Sequence, residues 1–329
     1  MGMRSLIFAA TILSAATAQA LAASPYSGIY AFGDSLSDVG NVYLATGGLE
    51  PASPYADGQF SNGPIWLQDL AAKFGLPALT PSLEPGGTDY AFGGATTGAA
   101  ATNNPDVPNL LEQVQLFSAA NSNVAPSSAL YTFSIGANDI ISVLDQNLDA
   151  ADALAALTLA ASDVAAAAAA LESEGAKDLV LFDVPDLGVI PAVSGLPAPI
   201  PAWATYLSAY FNQQVLADLA PVENAGLKVF DLNVFGLLDE IVAHPDGLNV
   251  TDPCYVGPLT GGGTVCDNPD GYLFWDKMHP TAVGHALVAN AAYAALVPET
   301  STWAMMLTGL AGLGLIRYRS TRAGAALAA

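Results

Sequence analysis

The chain has 329 residues, 52% of them hydrophobic and only 12% charged, with a formal net charge of −22. Between Arg4 and Arg317 the only lysines and arginines are Lys73, Lys177, Lys228 and Lys277, against all 30 acidic residues. Such a body repels nucleic acid and anionic membranes, fits an extracytoplasmic or saline setting, and has apolar material enough for one large core.

Residues 1–23 read as a secretory signal peptide. Arg4 supplies the positive start, 6–18 the apolar stretch, and Ala18-Gln19-Ala20 or Leu21-Ala22-Ala23 the small-residue cleavage site, with cleavage expected near Ala23. The apolar stretch is short for a membrane span. The run Ile29-Tyr30-Ala31-Phe32 then ends abruptly in Gly33-Asp34-Ser35, which predicts a buried strand, a tight turn carrying Ser35, and a helix or loop beyond it. A serine at the carboxyl end of a strand lies where open α/β sheets bind ligands. The same residue types also serve as plain helix caps.

Residues 46–64 are rich in Gly, Pro and Tyr and predict a loop beside the site, its tract 54–63 offering aromatic and polar groups to a substrate. Helical periodicity follows over 64–74, with Pro64 suited to a first turn. A second strand is expected over 89–92, running into Gly93 and Gly94, which allow close backbone approach to a ligand. An amphipathic helix over 109–120 and a third strand over 129–135 come next, and that strand ends in Gly136-Ala137-Asn138-Asp139. The alanine-dense stretch 149–174 predicts a long helix with a packed face at Leu154, Leu157 and Val164. Residues 177–183 read as a strand buried on both faces, 203–219 as a helix, 227–232 as a fifth strand and 234–243 as a helix. This alternation predicts an α/β fold: a three-layer α/β/α sandwich around an about five-stranded parallel sheet, in one domain over 24–296.

Cys254 and Cys266 bracket a Gly/Pro/Thr-rich loop. In an oxidising compartment they are expected to pair, stabilising by about 3 kcal/mol on the chain-entropy estimate. No Cys/His cluster has metal-ligand spacing. Of the three histidines, His244 ends a helix beside Pro245 and His285 falls inside the last helix, 282–296; both read as structural. His279 differs, with Asp276 three residues before it and Pro280 after it. Asp-x-x-His on one turn places a carboxylate against Nδ1 and leaves Nε2 free to activate a serine.

These residues resemble the GDSL esterases and lipases, or SGNH hydrolases. Four blocks match in order: residues 33–41 beginning Gly33-Asp34-Ser35-Leu36, residues 91–97 around Gly93-Gly94, Gly136-Ala137-Asn138-Asp139, and Asp276-Lys277-Met278-His279-Pro280. Residues 58–63 and Phe274-Trp275-Asp276 resemble the branch of phospholipases, lecithinases and haemolysins, while Asp89 stands where the family often has asparagine. The resemblance implies a flavodoxin-like fold, with Ser35 as nucleophile, His279 as general base then acid, and Asp276 orienting His279. It implies an oxyanion hole from the N–H groups of Ser35 and Gly94 and the amide of Asn138, with Gly93 as the alternative second donor. No metal or organic cofactor is implied. The substrate class that the resemblance implies is lipid or short-chain esters; carbohydrate O-acetyl esters and a non-catalytic surface-binding role are the alternatives.

After residue 296 a polar break, an apolar run over 303–316 and Arg317, Arg319 and Arg322 follow. The layout of 297–329 resembles a PEP-CTERM-type sorting segment, with Thr300 in place of the second proline of its box. That resemblance implies transient inner-membrane contact, processing by an exosortase-type enzyme, and delivery to the cell surface or extracellular matrix of a Gram-negative bacterium; signal peptidase is expected to process the N-terminal segment, and the protein is expected to be a monomer.

Overall fold

Four five-residue runs form the central sheet among the residues that the computed structural model describes, 24–98 and 106–297. They are β1 (Ile29–Gly33), β2 (Leu130–Ser134), β3 (Asp178–Phe182) and β4 (Lys228–Leu232), all parallel and in that order. Gly33, Ser134, Phe182 and Leu232 stand in register at the carboxyl edge. Side chains alternate between faces as pleating requires: Tyr131, Phe133, Leu179 and Leu181 enter one core, and Leu130, Val180 and Phe182 the other.

Between β1 and β2 lie α1 (Asn41–Ala45), α2 (Trp66–Phe74) and α3 (Leu110–Ala120); α4 (Ala137–Asp145) and α5 (Ala150–Glu174) precede β3. The short α6 (Pro191–Ser194) and α7 (Ile200–Ala225) lead to β4, and α8 (Val234–Ala243) follows it. The chain then forms β5 (Asn249–Pro253), β6 (Tyr255–Val256), β7 (Thr264–Val265) and β8 (Tyr272–Phe274), and ends in α9 (Ala282–Leu296). Helices α3, α5 and α7 bury Phe117, Leu157, Val164 and Phe211 on one face of the sheet, while α2 and α9 bury Trp66, Leu70, Val288 and Ala292 on the other. The three layers are those the alternation predicts. Capping fixes the helix ends: Asn109 and Glu112 form a capping box on α3, and α5 runs from the Asp149 cap to a left-handed Gly175. By length and composition α5 would cross a membrane, but here its buried residues, at helical spacing from Ala153 to Leu171, face the core.

Three elements depart from the sequence reading. The run 89–92 does lie beside β1, with Tyr90 N–H on Ala31 O and Phe92 N–H on Gly33 O, but it pairs with β1 through one isolated bridge, Ala31 to Asp89. The ladder stops because the Gln113 amide takes the edge of β1. Its Oε1 accepts from Gly33 N–H and its Nε2 donates to Gly33 O, both at 2.8 Å. Helix α7 runs on past Pro221, where a proline predicts a stop, and Leu219 and Val222 are buried on either side of it. Helix α4 was not expected at all; its apolar stretch is too short for periodicity to declare it, and it begins directly after Gly136.

The expected disulfide between Cys254 and Cys266 is formed. It closes the loop in which β6 pairs antiparallel with β7, and it packs with Tyr55, Tyr255 and Trp275 in a small separate core. The signal segment 1–23 and the tail from 298 onward lie outside the described residues.

Replacing Gln113 by leucine leaves the buried Gly33 N–H unpaired and the Gly33 carbonyl with the Phe92 N–H in place of two donors. The expected loss is about 1–3 kcal/mol of unfolding free energy, read by denaturant titration.

Candidate active site

Ser35 stands in the turn that leaves β1. Gly33 permits that turn: its φ is +145°, and a Cβ there would collide with the Ser134 carbonyl. Side-chain acceptors then fix the backbone. Asp34 Oδ1 accepts from Leu36 N–H at 3.0 Å. The buried Asp38 carboxylate accepts from Gly40 and Asn41 on Oδ1 at 2.8 and 2.6 Å, and from Val42 and Gly93 on Oδ2 at 3.2 and 2.9 Å. One carboxylate thus joins the Ser35 turn to the paired glycines. Asp89 does similar work at their flank, accepting from Val39 N–H at 2.8 Å and Ala91 N–H at 3.0 Å. Burial pushes Asp38 up to about 6 against the pull of its four donors. Burial, with Asp38 as a second cause, pushes Asp89 well above the usual range.

The partner of Ser35 comes from the far end of the chain. His279 Nε2 lies 2.8 Å from Ser35 Oγ across 244 residues of sequence. His279 Nδ1 lies 2.7 Å from Asp276 Oδ2. Asp276 Oδ1 accepts from the backbone N–H groups of Met278 and His279 at 2.8 and 2.7 Å, so the carboxylate is clamped by its own turn. Burial opposes the charge of Asp276, but the His279 charge and the hydrogen bonds hold it at about 2. Burial likewise opposes the imidazolium of His279, yet Asp276 and then Asp34 hold its pKa above the ordinary value. An ionised carboxylate only accepts, so Nδ1 carries the proton and the Nε2 lone pair faces the serine hydroxyl. Asp34, buried beside Ser35, is itself pushed by burial to about 7.

Of the donors expected for an oxyanion, Asn138 lines the same cleft as Ser35 and His279. Asn138, in the first turn of α4, donates from Nδ2 to Ala95 O at 2.8 Å, which orients the amide and leaves its second N–H unspent. The Gly93 N–H is committed to Asp38. Gly94 is exposed, has a φ of +82°, and its N–H meets no acceptor among the described residues. The structure therefore leaves Gly94, and not Gly93, with a donor to offer.

The tract 54–63 corrects an expectation. It faces the protein and not a ligand: Tyr55, Gln59, Phe60 and Ser61 are all buried. Ser61 Oγ donates to Pro280 O at 2.9 Å, Asn62 Oδ1 accepts from Ala282 N–H at 2.8 Å, and the Phe60 ring lies 5.2 Å from the imidazole of His279. Tyr55 donates its hydroxyl to Asp276 Oδ2 at 2.7 Å. The turn around His279 presents carboxylate and carbonyl oxygens to this tract, the hydroxyls of Tyr55 and Ser61 donate to them, and the Asn62 amide oxygen takes the N–H at the start of α9.

A cleft opens beside the trio. Ser35, Asn138 and His279 contribute its polar groups near the reacting atoms, and Ile141, Phe182, Leu187, Leu238, Ile241 and Val288 make its wall apolar. His285 also lines it; burial, with the charge of His279 as a second cause, lowers its pKa to about 3. His244 remains where the sequence reading put it, at the end of α8, with Nδ1 3.1 Å from Glu240.

Comparison with known proteins adds an independent finding. The family model described as GDSL-like lipase/acylhydrolase matches residues 29–292. A phosphatidylcholine-sterol acyltransferase of Aeromonas hydrophila is 30% identical, the match covering 85% of this chain and 93% of that protein. Esterase EstA of Pseudomonas aeruginosa is 28% identical over 96% of this chain and 53% of its own length, so the chain spans about half of that relative. The thermolabile hemolysin of Vibrio parahaemolyticus is 24% identical over 80% of this chain and 62% of its own.

The two buried histidines should titrate on opposite sides of the ordinary imidazole value. In an NMR titration His279 is expected to lose its proton above about 6.5, while His285 stays neutral down to about 3.

Proposed function

The chain belongs to the GDSL-like lipase/acylhydrolase family, and from that premise we propose that it is an exported serine esterase acting on lipid esters through Ser35, His279 and Asp276. Carboxylic ester hydrolysis is the activity of the family. The observation that carries the residue assignment is the 2.8 Å contact between Ser35 Oγ and His279 Nε2, backed by the 2.7 Å contact of Nδ1 with Asp276.

In the proposed cycle Ser35 Oγ attacks the ester carbonyl carbon while His279 Nε2 takes the hydroxyl proton. The carbonyl oxygen becomes an oxyanion facing the N–H groups of Ser35 and Gly94 and the amide of Asn138. These neutral donors are fixed before the reaction begins, so they stabilise the developing charge without reorganising. Collapse expels the alcohol, which takes the proton from His279. Water then repeats the sequence on the acyl-serine and releases the acid. Asp276 stays ionised throughout, consistent with its lowered pKa of about 2.

The cleft favours lipid esters over O-acetyl sugars. An acyl chain gains from burial against an apolar wall by about 0.8 kcal/mol per methylene, and an acetyl group has none to bury. Transfer of the acyl group to an alcohol is the second reading, favoured by the acyltransferase from A. hydrophila, which the match covers almost end to end. The signal-like start and the PEP-CTERM-like tail support export with membrane processing; both lie outside the described residues.

Ser35→Ala is expected to abolish both hydrolysis of p-nitrophenyl esters and labelling by a fluorophosphonate. Asn138→Ala should lower kcat by about 10²–10³-fold with little change in KM. Across a panel from acetyl to long-chain esters, with acetylated polysaccharide included, kcat/KM should rise from acetyl to medium chains and stay low on the polysaccharide. Highest activity on acetyl groups would favour the carbohydrate reading.

A further inference from the structure

The Asp276 carboxylate has four donors, and one of them comes from none of the four matched blocks. Oδ1 takes two backbone N–H groups of its own turn. Oδ2 is shared between His279 Nδ1 and the Tyr55 hydroxyl, both at 2.7 Å. Tyr55 reaches this position across 221 residues of sequence.

The phenol is not loosely placed. Its ring is buried and packs edge-on against Tyr255 and Trp275, with centroids 5.3 and 6.1 Å away. Tyr255 and Trp275 stack on each other at 5.6 Å. The Cys254–Cys266 bridge lies in the same cluster, directly before Tyr255 in the chain, and Tyr255 hydrogen-bonds Pro258 O at 2.8 Å. Thus the disulfide-closed lobe, which touches no reacting atom, seats the ring whose hydroxyl ends on the carboxylate beside His279.

We propose that Tyr55 is a positioning residue for ester hydrolysis: held by the disulfide-closed aromatic lobe, its hydroxyl fixes the plane of the Asp276 carboxylate and tempers that carboxylate's pull on His279. The inference rests on the esterase reading given above. Its physical content has two parts. First, a carboxylate pinned at Oδ1 alone can rock about its side-chain torsion and carry the imidazole with it, and a shift on the order of 1 Å costs about a hundredfold in rate. Second, a hydroxyl donating to Oδ2 withdraws negative charge from the oxygen that faces Nδ1. Removing that donor makes the carboxylate a stronger partner for the imidazolium and raises the pKa of His279. The other titratable groups facing His279 are Asp34 and His285, and Tyr255 faces Tyr55; none of them is altered by removing the phenol oxygen.

The test uses Tyr55→Phe, which keeps the ring in its cluster, with Tyr255→Phe as a control that removes a hydroxyl from the same cluster without touching Asp276. Wild type and both variants, each checked for folding by thermal melting, are assayed for kcat and KM against pH on a p-nitrophenyl ester. The His279 imidazole is titrated by NMR in parallel. Tyr55→Phe is expected to lower kcat at the alkaline plateau by roughly 10- to 100-fold with KM little changed, and to move both the acidic limb and the NMR titration to higher pH. Tyr255→Phe should leave the limb and the titration in place. A Tyr55→Phe enzyme with an unmoved limb and titration would overturn the proposal even if its rate fell, because packing damage alone would do that. If Tyr55→Phe does not fold, the same two readouts are taken on Cys254→Ser/Cys266→Ser, where the proposal requires the same direction of shift. An inactive wild type that a fluorophosphonate does not label would sink the esterase reading; the NMR titration would still report on Tyr55.

Discussion

One buried carboxylate, that of Asp38, determines how the candidate site is built. It accepts four backbone N–H groups, three from the chain just beyond Ser35 and one from Gly93. Those segments are 55 residues apart in the Asp38–Gly93 contact, and no strand pairing joins them there. Burying an uncompensated charge is prohibitive, so the four donors and the carboxylate require one another. Two consequences follow for the proposed chemistry. The Ser35 turn is tied to the paired glycines, and the Gly93 N–H is consumed, while the Gly94 N–H meets no acceptor among the described residues.

The same device recurs because this chain has few bases to spend. Ion pairs among the described residues are limited to Lys177–Glu172, His244–Glu240 and His279–Asp276. Buried acids are met instead by backbone and hydroxyl donors: Asp139 by Thr97, and Asp183 by the N–H groups of Val234 and Phe235 at the start of α8. Burial pushes both of these acids to about 7. Within such a shell the Asp276–His279 pair stands out: among the described residues it is where a largely enclosed acid is held at about 2 by a titrating partner. Its electrostatics depend on the fold holding dipoles in place, not on a neighbouring lysine or arginine. That is the arrangement in which a neutral oxyanion site gains most, since no mobile counter-charge competes for it.

The second support is the inward-facing tract of residues 55–62. It contributes a hydroxyl to Asp276, a ring to His279, a hydroxyl to Pro280 O and an acceptor to the first N–H of α9. The turn that carries the imidazole is thereby gripped from outside as well as from within. Gly/Pro-rich composition marks this stretch as loop, and so it is; what composition does not convey is that the loop packs against the turn that carries His279.

The residues alone determined the layered α/β plan, because buried strands and amphipathic helices impose periods of 2 and 3.6 that survive in the sequence. They also determined the chemistry on offer: an Asp-x-x-His turn is local, and four short blocks in order are a pattern no composition produces by chance. The disulfide was readable for the same reason, as two cysteines in one loop have a single partner each. Tertiary structure alone decided the matters that turn on spatial neighbours. Gln113 ended the ladder beside β1 by taking the Gly33 N–H, Asp38 took up the Gly93 N–H, and Tyr55 turned from a substrate group into a partner of Asp276. Each is a hydrogen bond between residues 50 or more positions apart. The periodicity of one segment records which face it buries, but not which distant donor that face will meet.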